Sequence, residues 1–198
     1  MTHRYSTREG WLQAAIASFR DIFPEVTDGH EVPENLYVSV GFPTGTRPDA
    51  RNRAIGQCHY TTKDGTPTLF VSPELGDPIR VLDVLLHEVI HASLPAGTGH
   101  RGQFVTVMKA WGLEGKPTAT VANKGTLLHD ALTALARELG DYPHSTLTAA
   151  QAAGRKQSTR MLKMECGGCG YIARTTRKWL EAYGPTICPC GAGPMGLS

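Results

Sequence analysis

The residues of this chain best suited to chemistry lie between positions 85 and 104, in the stretch LLHEVIHASLPAGTGHRGQF. An apolar run there carries His87, Glu88 and His91, and His100 follows nine residues after His91. Such groups lose hydration when buried and recover the loss only by finding partners. On a helix, His87 and His91 project about 40° apart in azimuth and about 6 Å apart along the axis. One ion can then sit about 2.0–2.1 Å from a nitrogen of each. Glu88 lies one residue round the helix, badly placed to ligate that ion but able to reach a water bound to it, which is the mechanical content of an H-E-x-x-H pattern. The competing arrangement is a pair of partly buried histidines bonded to backbone or to Asp83, with Glu88 in solvent.

A catalytic metal site needs a third protein ligand and an open position for water. The pattern H-E-x-x-H-x-x-G-x-x-H would place glycine at position 94 and histidine at position 97, whereas the chain has Leu94 and Gly97. Two residues remain. Glu114 follows Gly112, where the helix before it should already have ended. His100 follows LPAGTG, a short loop able to turn the chain back, and is favoured. A zinc ion on His87, His91 and His100 would bring the pKa of its water to about 7. Glu88 would take the proton of that water as it attacks a peptide carbonyl and would hand a proton to the leaving amine. The expected activity is a zinc-dependent endopeptidase.

A second constellation closes the chain. Cys166 and Cys169 form C-x-x-C, and after eighteen intervening residues Cys188 and Cys190 form C-x-C. Clustered thiols in a reducing compartment more often bind metal than pair as disulfides. Four thiolates on glycine-rich turns suit a structural zinc, whose binding would supply most of the folding free energy of so short a segment. The tight C-x-C leaves Cys190 the least secure of the four. Between the pairs, Arg174, Arg177 and Lys178 stand beside Tyr171, Trp179 and Tyr183. Cations for phosphates with aromatics for bases is a composition that binds single strands. Only the cations are assigned to that role here, with Trp179 read as part of the segment's own core.

These sites need elements to hold them. A helix is expected from about Ser6, where Ser6 and Glu9 have capping-box spacing, with Trp11, Leu12, Ala15, Ile16 and Phe19 on one face and Pro24 ending it. Strands follow at 36–41, 54–60 and 68–72, with Asp64-Gly65 marking a hairpin. Helices are expected over 79–93, over RGQFVTVMKAWG with Gly112 as its cap, and through Leu128, Leu132, Leu135 and Leu139. Periodicity is lost over 141–160, which reads as a linker between a body at 1–140 and a unit at 161–198. His59, His129 and His144 are read as core, surface or loop residues, His3 and His30 have no supporting context, and Cys58 is read as a small buried apolar residue. Tyr60 is not assigned a role in transition-state stabilisation.

Composition agrees with a globular protein: 40% of residues are hydrophobic and 19% charged. Residues 1–150 carry 13 Lys/Arg against 16 Asp/Glu, and residues 151–198 carry 7 against 2, so a net −3 body precedes a net +5 end. A basic end suggests a polyanionic partner, nucleic acid being the commonest. No apolar run approaches the roughly 20 residues of a membrane span. The first residues lack the apolar core and cleavage site of a signal peptide, so a cytoplasmic protein is expected, with no membrane partner.

HEVIHASLPAGTGHRGQF followed by VMKAWGLEGKP resembles the SprT-like metalloprotease family, which includes the Spartan-type DNA-dependent proteases. That family has strands before an H-E-x-x-H helix, a variable loop, a third zinc-binding histidine and then a phenylalanine. His87, Glu88, His91 and His100 fall on the motif, and Phe104 keeps its offset from His100. Arg101 stands where the family usually has glycine. The cysteine segment is similar to the family's C-terminal zinc ribbon, with CPC in place of C-P-x-C. The resemblance implies an α+β zincin-like domain with a small antiparallel-type sheet, a C-terminal zinc ribbon, one catalytic and one structural zinc, a protein substrate, and DNA (single-stranded or nicked) as partner. The alternative is a nucleic-acid-binding zinc protein in which the same fold is not catalytic.

Overall fold

The computed structural model describes residues 4–23, 31–44, 54–60, 62–147 and 161–198. His3, Pro24, His30 and most of the link between the first two expected strands lie outside them. The chain divides into two compact units, Met1–Ala152 and Ala153–Ser198. Both mix helices with small sheets. Among the described residues, no helix is long and apolar enough to cross a membrane.

The first unit begins with α1 (Arg8–Ile22). Its cap is Thr7 rather than the expected Ser6, because Thr7 Oγ1 is three residues before Gly10 and accepts from its N–H at 3.1 Å. Glu9 is therefore released from a capping box and accepts from Val40 N at 3.0 Å, tying α1 to the sheet. Trp11, Leu12, Ala15, Ile16 and Phe19 are all buried, as one helical stripe requires.

Three strands follow, β1 (Tyr37–Val40), β2 (Gly56–His59) and β3 (Thr68–Val71). They pair in the order β1-β3-β2. The expected antiparallel-type sheet is corrected: β2 and β3 form an antiparallel hairpin around Asp64-Gly65, but β1 runs parallel to β3. The chain reverses at each link, so the strand in the middle is parallel to one neighbour and antiparallel to the other. The middle goes to β3, whose Leu69 and Val71 are fully buried. β2 is left at the edge, partly exposed along its length.

Asp77 caps α2 (Pro78–Ser93) by accepting from Arg80 N, and Pro78 sits in the first turn, where its missing N–H costs nothing. Helix α2 is buried on nearly every side, packing against α1, the sheet, α3 (Gln103–Ala110), the strand at Ala119–Val121 and α4 (Leu127–Leu139). Helix α3 stops where Gly112 adopts φ +85°, with Gly112 N bonded to Lys109 O and Leu113 N to Met108 O, the paired bonds of a glycine-terminated helix. A hairpin not expected from the sequence comes next, β4 (Glu114–Lys116) and β5 (Ala119–Val121). Thr120 is its one buried residue.

Residues 141–147, expected to begin a linker, instead pack on the first unit. Arg8 is buried and donates to the carbonyls of Pro143 (2.7 Å), Pro73 (3.0 Å) and His144 (3.2 Å). Trp11 donates to Gly140 O and meets Tyr142 edge-on at 5.0 Å. A buried guanidinium needs acceptors, and this segment supplies two of the three carbonyls.

The second unit contains β6 (Met161–Glu165), β7 (Ile172–Thr176), α5 (Arg177–Tyr183) and β8 (Gly196–Leu197), with β6 central and antiparallel to both neighbours. Among the described residues its core is Met164, Cys166, Cys188 and Met195, with Ala173 and Leu180 against them. Trp179 is not in that core, contrary to expectation. Leu180 fills the inward position of α5, leaving Trp179 51% exposed.

Replacing Arg8 by Ala removes three charge-assisted bonds and strips their carbonyls of a partner. Urea unfolding of the first unit should show a loss of about 3 kcal/mol; an unchanged midpoint would contradict this reading of the 141–147 segment.

Candidate metal centres

His87 and His91 come from the last two turns of α2, the side chains on that stretch that are only partly buried. After the helix ends at Leu94, a turn closed by Thr98 N on Pro95 O returns the chain, and His100 arrives opposite them. The Nε2 of His100 lies 3.2 Å from His87 Nε2 and 3.1 Å from His91 Nε2. Nitrogens each about 2.0–2.1 Å from one tetrahedral ion would stand about 3.4 Å apart. Three neutral imidazoles cannot all turn lone pairs toward one point without a cation to share them, so the donor set fits a metal ion. Burial holds the ring pKa values down: His87 to about 3, further lowered by His91, His100 and Arg80, and His91 to about 4, further lowered by His100. His100 is lowered by burial as well. Neutral rings are what a metal requires.

Phe104, fully buried on α3, backs all three rings. Its centroid lies 4.3 Å from His91 in a stacked contact, and 5.0 and 5.1 Å from His87 and His100 in edge contacts. The outer nitrogen of His87, Nδ1, meets Thr120 Oγ1 at 2.8 Å. Neither Thr120 nor the hairpin that carries it was identified from the sequence. Asp83, the other candidate partner for these histidines, is engaged by Arg80 and by Ala122 N at 3.2 Å. Glu114 lies exposed on β4, bonded to Asn123, outside the group whose ligand atoms converge.

Glu88 is 5% exposed and not solvated. Among the described residues no donor reaches its carboxylate, and burial alone pushes its pKa up to about 8. It lines a cleft of about 1080 Å³, as do the three histidines, with β2 along one wall and the β4–β5 hairpin along another. The slot for Glu88 exists because Gly56 on β2 has no side chain. A Cβ there would fall 2.5 Å from Glu88 Oε1 and 2.8 Å from Val84 Cγ1. Cys58 and Tyr60 continue that wall. Burial raises the Cys58 thiol to about 12 and raises the Tyr60 phenol too, and the Tyr60 hydroxyl donates to His91 O. His59 packs edge-on against Phe70, His129 lies beside Asp130, and His144 O accepts from Arg8.

In the second unit Cys166, Cys169, Cys188 and Cys190 also converge. The Cys166–Cys190 and Cys169–Cys188 sulfur pairs are each 3.6 Å apart, close to the about 3.8 Å separating thiolates on one tetrahedral zinc and far too long for disulfides. Cys190, the least secure by spacing, is brought in with the rest. N–H groups of Cys169 and Gly168 lower the Cys166 thiol to about 6. Both groups could therefore bind metal, and they are the two such groups among the described residues.

Arg174 is exposed on β7, and Arg177 and Lys178 on α5. Trp179 and Tyr183, four residues apart, stack at 5.6 Å on the same helix, with Lys178 Nζ 5.0 Å from the Trp179 ring. Arg177 approaches Glu181 only to 3.9 Å. Comparison of the chain with protein-family models, curated proteins and solved structures finds no match.

With four buried core residues among those described, the second unit would depend on a metal held by its four cysteines. Cys190→Ser, or chelation, should abolish amide-exchange protection over 161–198 while leaving 8–139 protected; protection retained throughout would show that the thiols are not structural ligands.

Proposed function

We propose that the chain is a zinc-dependent endopeptidase of the SprT-like, zincin type, acting in the cytoplasm on proteins associated with DNA. One observation carries the reading: three imidazole Nε2 atoms converge beside a buried carboxylate that, among the described residues, no donor engages, in an open cleft. His87, His91 and His100 would hold the catalytic zinc, which supplies Lewis acidity to polarise a carbonyl and acidify a water. Glu88 accepts the proton of the water that adds to the scissile carbonyl. It then delivers a proton to the amine nitrogen as the C–N bond breaks, so one water is consumed and a carboxyl and an amine are released. Gly56 keeps that carboxylate in its slot. Cys166, Cys169, Cys188 and Cys190 would hold the structural zinc of a ribbon.

The DNA part rests on the second unit. Its exposed cations, Arg174, Arg177 and Lys178, suit phosphates, and the exposed Trp179–Tyr183 stack offers faces to unpaired bases. A nucleic-acid-binding protein with an inert first unit would share those features but has no use for a carboxylate buried in the cleft beside the histidines, a costly group to keep.

The test is digestion of a basic DNA-binding protein by the zinc-loaded chain, with and without single-stranded DNA. Fragments should form and increase with DNA, and Glu88→Gln should lower the rate at least about 100-fold with zinc retained. Fragments undiminished by Glu88→Gln, or none from the fully zinc-loaded chain, would overturn the reading. Gly56→Ala should cost about 10- to 100-fold in kcat with little change in KM or zinc content, because displacement of a catalytic group by about 1 Å has that scale; a wild-type kcat would remove Gly56 from the account.

A further inference from the structure

The hairpin β4–β5 has little buried apolar surface of its own: Leu113 and Ala122, which flank it, enter the core, but no apolar side chain within its strands does. Its strands are three residues long, β4 is exposed throughout, and its surface is Glu, Gly, Lys and Thr. Three hydrogen bonds hold it to α2: a long one from Arg80 Nη1 to Thr120 O at 3.5 Å, and two that involve buried polar side chains. Asp83, 3% exposed, accepts from Ala122 N just after β5 and pairs with Arg80 one turn away. Thr120, 6% exposed, meets His87 Nδ1 at 2.8 Å. Asp83 and His87 are four residues apart, so they lie on one face of α2 and the hairpin docks along it.

We propose that Thr120 is a positioning residue for the histidine centre, fixing the tautomer and ring orientation of His87, and that Asp83 acts through it by anchoring its strand. This rests on the reading of His87, His91 and His100 as metal ligands, but not on peptidase activity. His87 Nε2 faces the other two rings. For Nε2 to offer its lone pair to a metal, the ring hydrogen must sit on Nδ1, where Thr120 Oγ1 accepts it. Such partners of ligating histidines orient the ring and raise its basicity. A hydroxyl has a further property that a carboxylate or carbonyl lacks: it both donates and accepts. With the metal absent, the ring hydrogen can move to Nε2 and bridge to His100, while Thr120 turns its O–H toward Nδ1. The same contact serves both states, so the ring stays aimed when no metal is bound.

The measurement is metal affinity of the histidine centre in the full chain, by cobalt(II) and zinc competition against a chelator. The thiolate charge-transfer bands of the cysteine centre provide an internal reference. Thr120→Val keeps the side-chain shape but cannot accept, and should weaken the histidine centre about 10- to 100-fold while leaving the cysteine centre unchanged. Thr120→Ser should restore affinity to within about threefold of wild type. Asp83→Asn should weaken the centre less than Thr120→Val, and should add nothing in a Thr120→Val background, since it acts through the same contact. Wild-type affinity in Thr120→Val overturns the proposal and leaves the metal centre standing, as does a Thr120→Ser chain as weak as Thr120→Val. Additive losses overturn the part given to Asp83. A wild-type histidine centre that takes up no metal overturns this inference together with the reading beneath it.

Discussion

Two imidazole nitrogens each little more than 3 Å from a third is an arrangement that neutral rings do not adopt for their own sake. Each ring presents either a lone pair or a hydrogen, and among three such groups at one point the contacts cannot all be favourable. Something has to hold them there, and most of the first unit can be read as that restraint. Phe104 closes the back of the group with its ring against all three. Tyr60 fastens the end of β2 to the last turn of α2 at His91 O. Thr120 steadies His87 from outside. These side chains are spread over the sheet edge, helix α3 and the β4–β5 hairpin, so the geometry of the centre depends on the whole unit being packed.

The same packing gives Glu88 its character. A carboxylate on a helix surface would be hydrated and ordinary. Here α2 is so deeply embedded that its glutamate is drawn out of water, against a strand whose glycine leaves room for it and little more. The raised affinity of Glu88 for a proton follows from that position and from no specific charge. The second unit solves a different problem. Its few buried side chains could not order 38 described residues by hydrophobic burial alone, and two of its four converging cysteines, Cys166 and Cys188, are part of what core it has. Its aromatic residues are consequently free to face outward, as Trp179 and Tyr183 do.

How much of this could be read from the amino-acid order depends on how local each signal is. The pairing of His87 with His91 is a four-residue spacing on a strongly apolar helix, and the helices around it announce themselves by the same period. His100 was legible because the glycine-rich loop before it can fold in only a short reach. Glu114 fell away once β4 formed, since a strand has no reason to aim it at the helix. By contrast, the role of Thr120 arises from a three-residue strand with no apolar alternation, 33 residues from its partner. Gly56 looks in sequence like any strand glycine, and only the approach of Glu88 shows what its missing side chain does. Thr7 displaced Ser6 as a cap because two adjacent hydroxyls compete and the register of Gly10 decides. The parallel pairing of β1 with β3 is a question of strand order, which alternation does not encode. Trp179 was misplaced for a simple reason: large aromatics are usually buried, and this core is too small to take one.

The claim on which the rest depends is that the histidine group holds a metal in addition to the cysteine group. Counting zinc equivalents bound per full chain by elemental mass spectrometry, in wild type and in His91→Ala, addresses it directly. The account predicts two equivalents in wild type, one for each converging group, and one in His91→Ala, with the second unit still folded. A single equivalent in both proteins would contradict it.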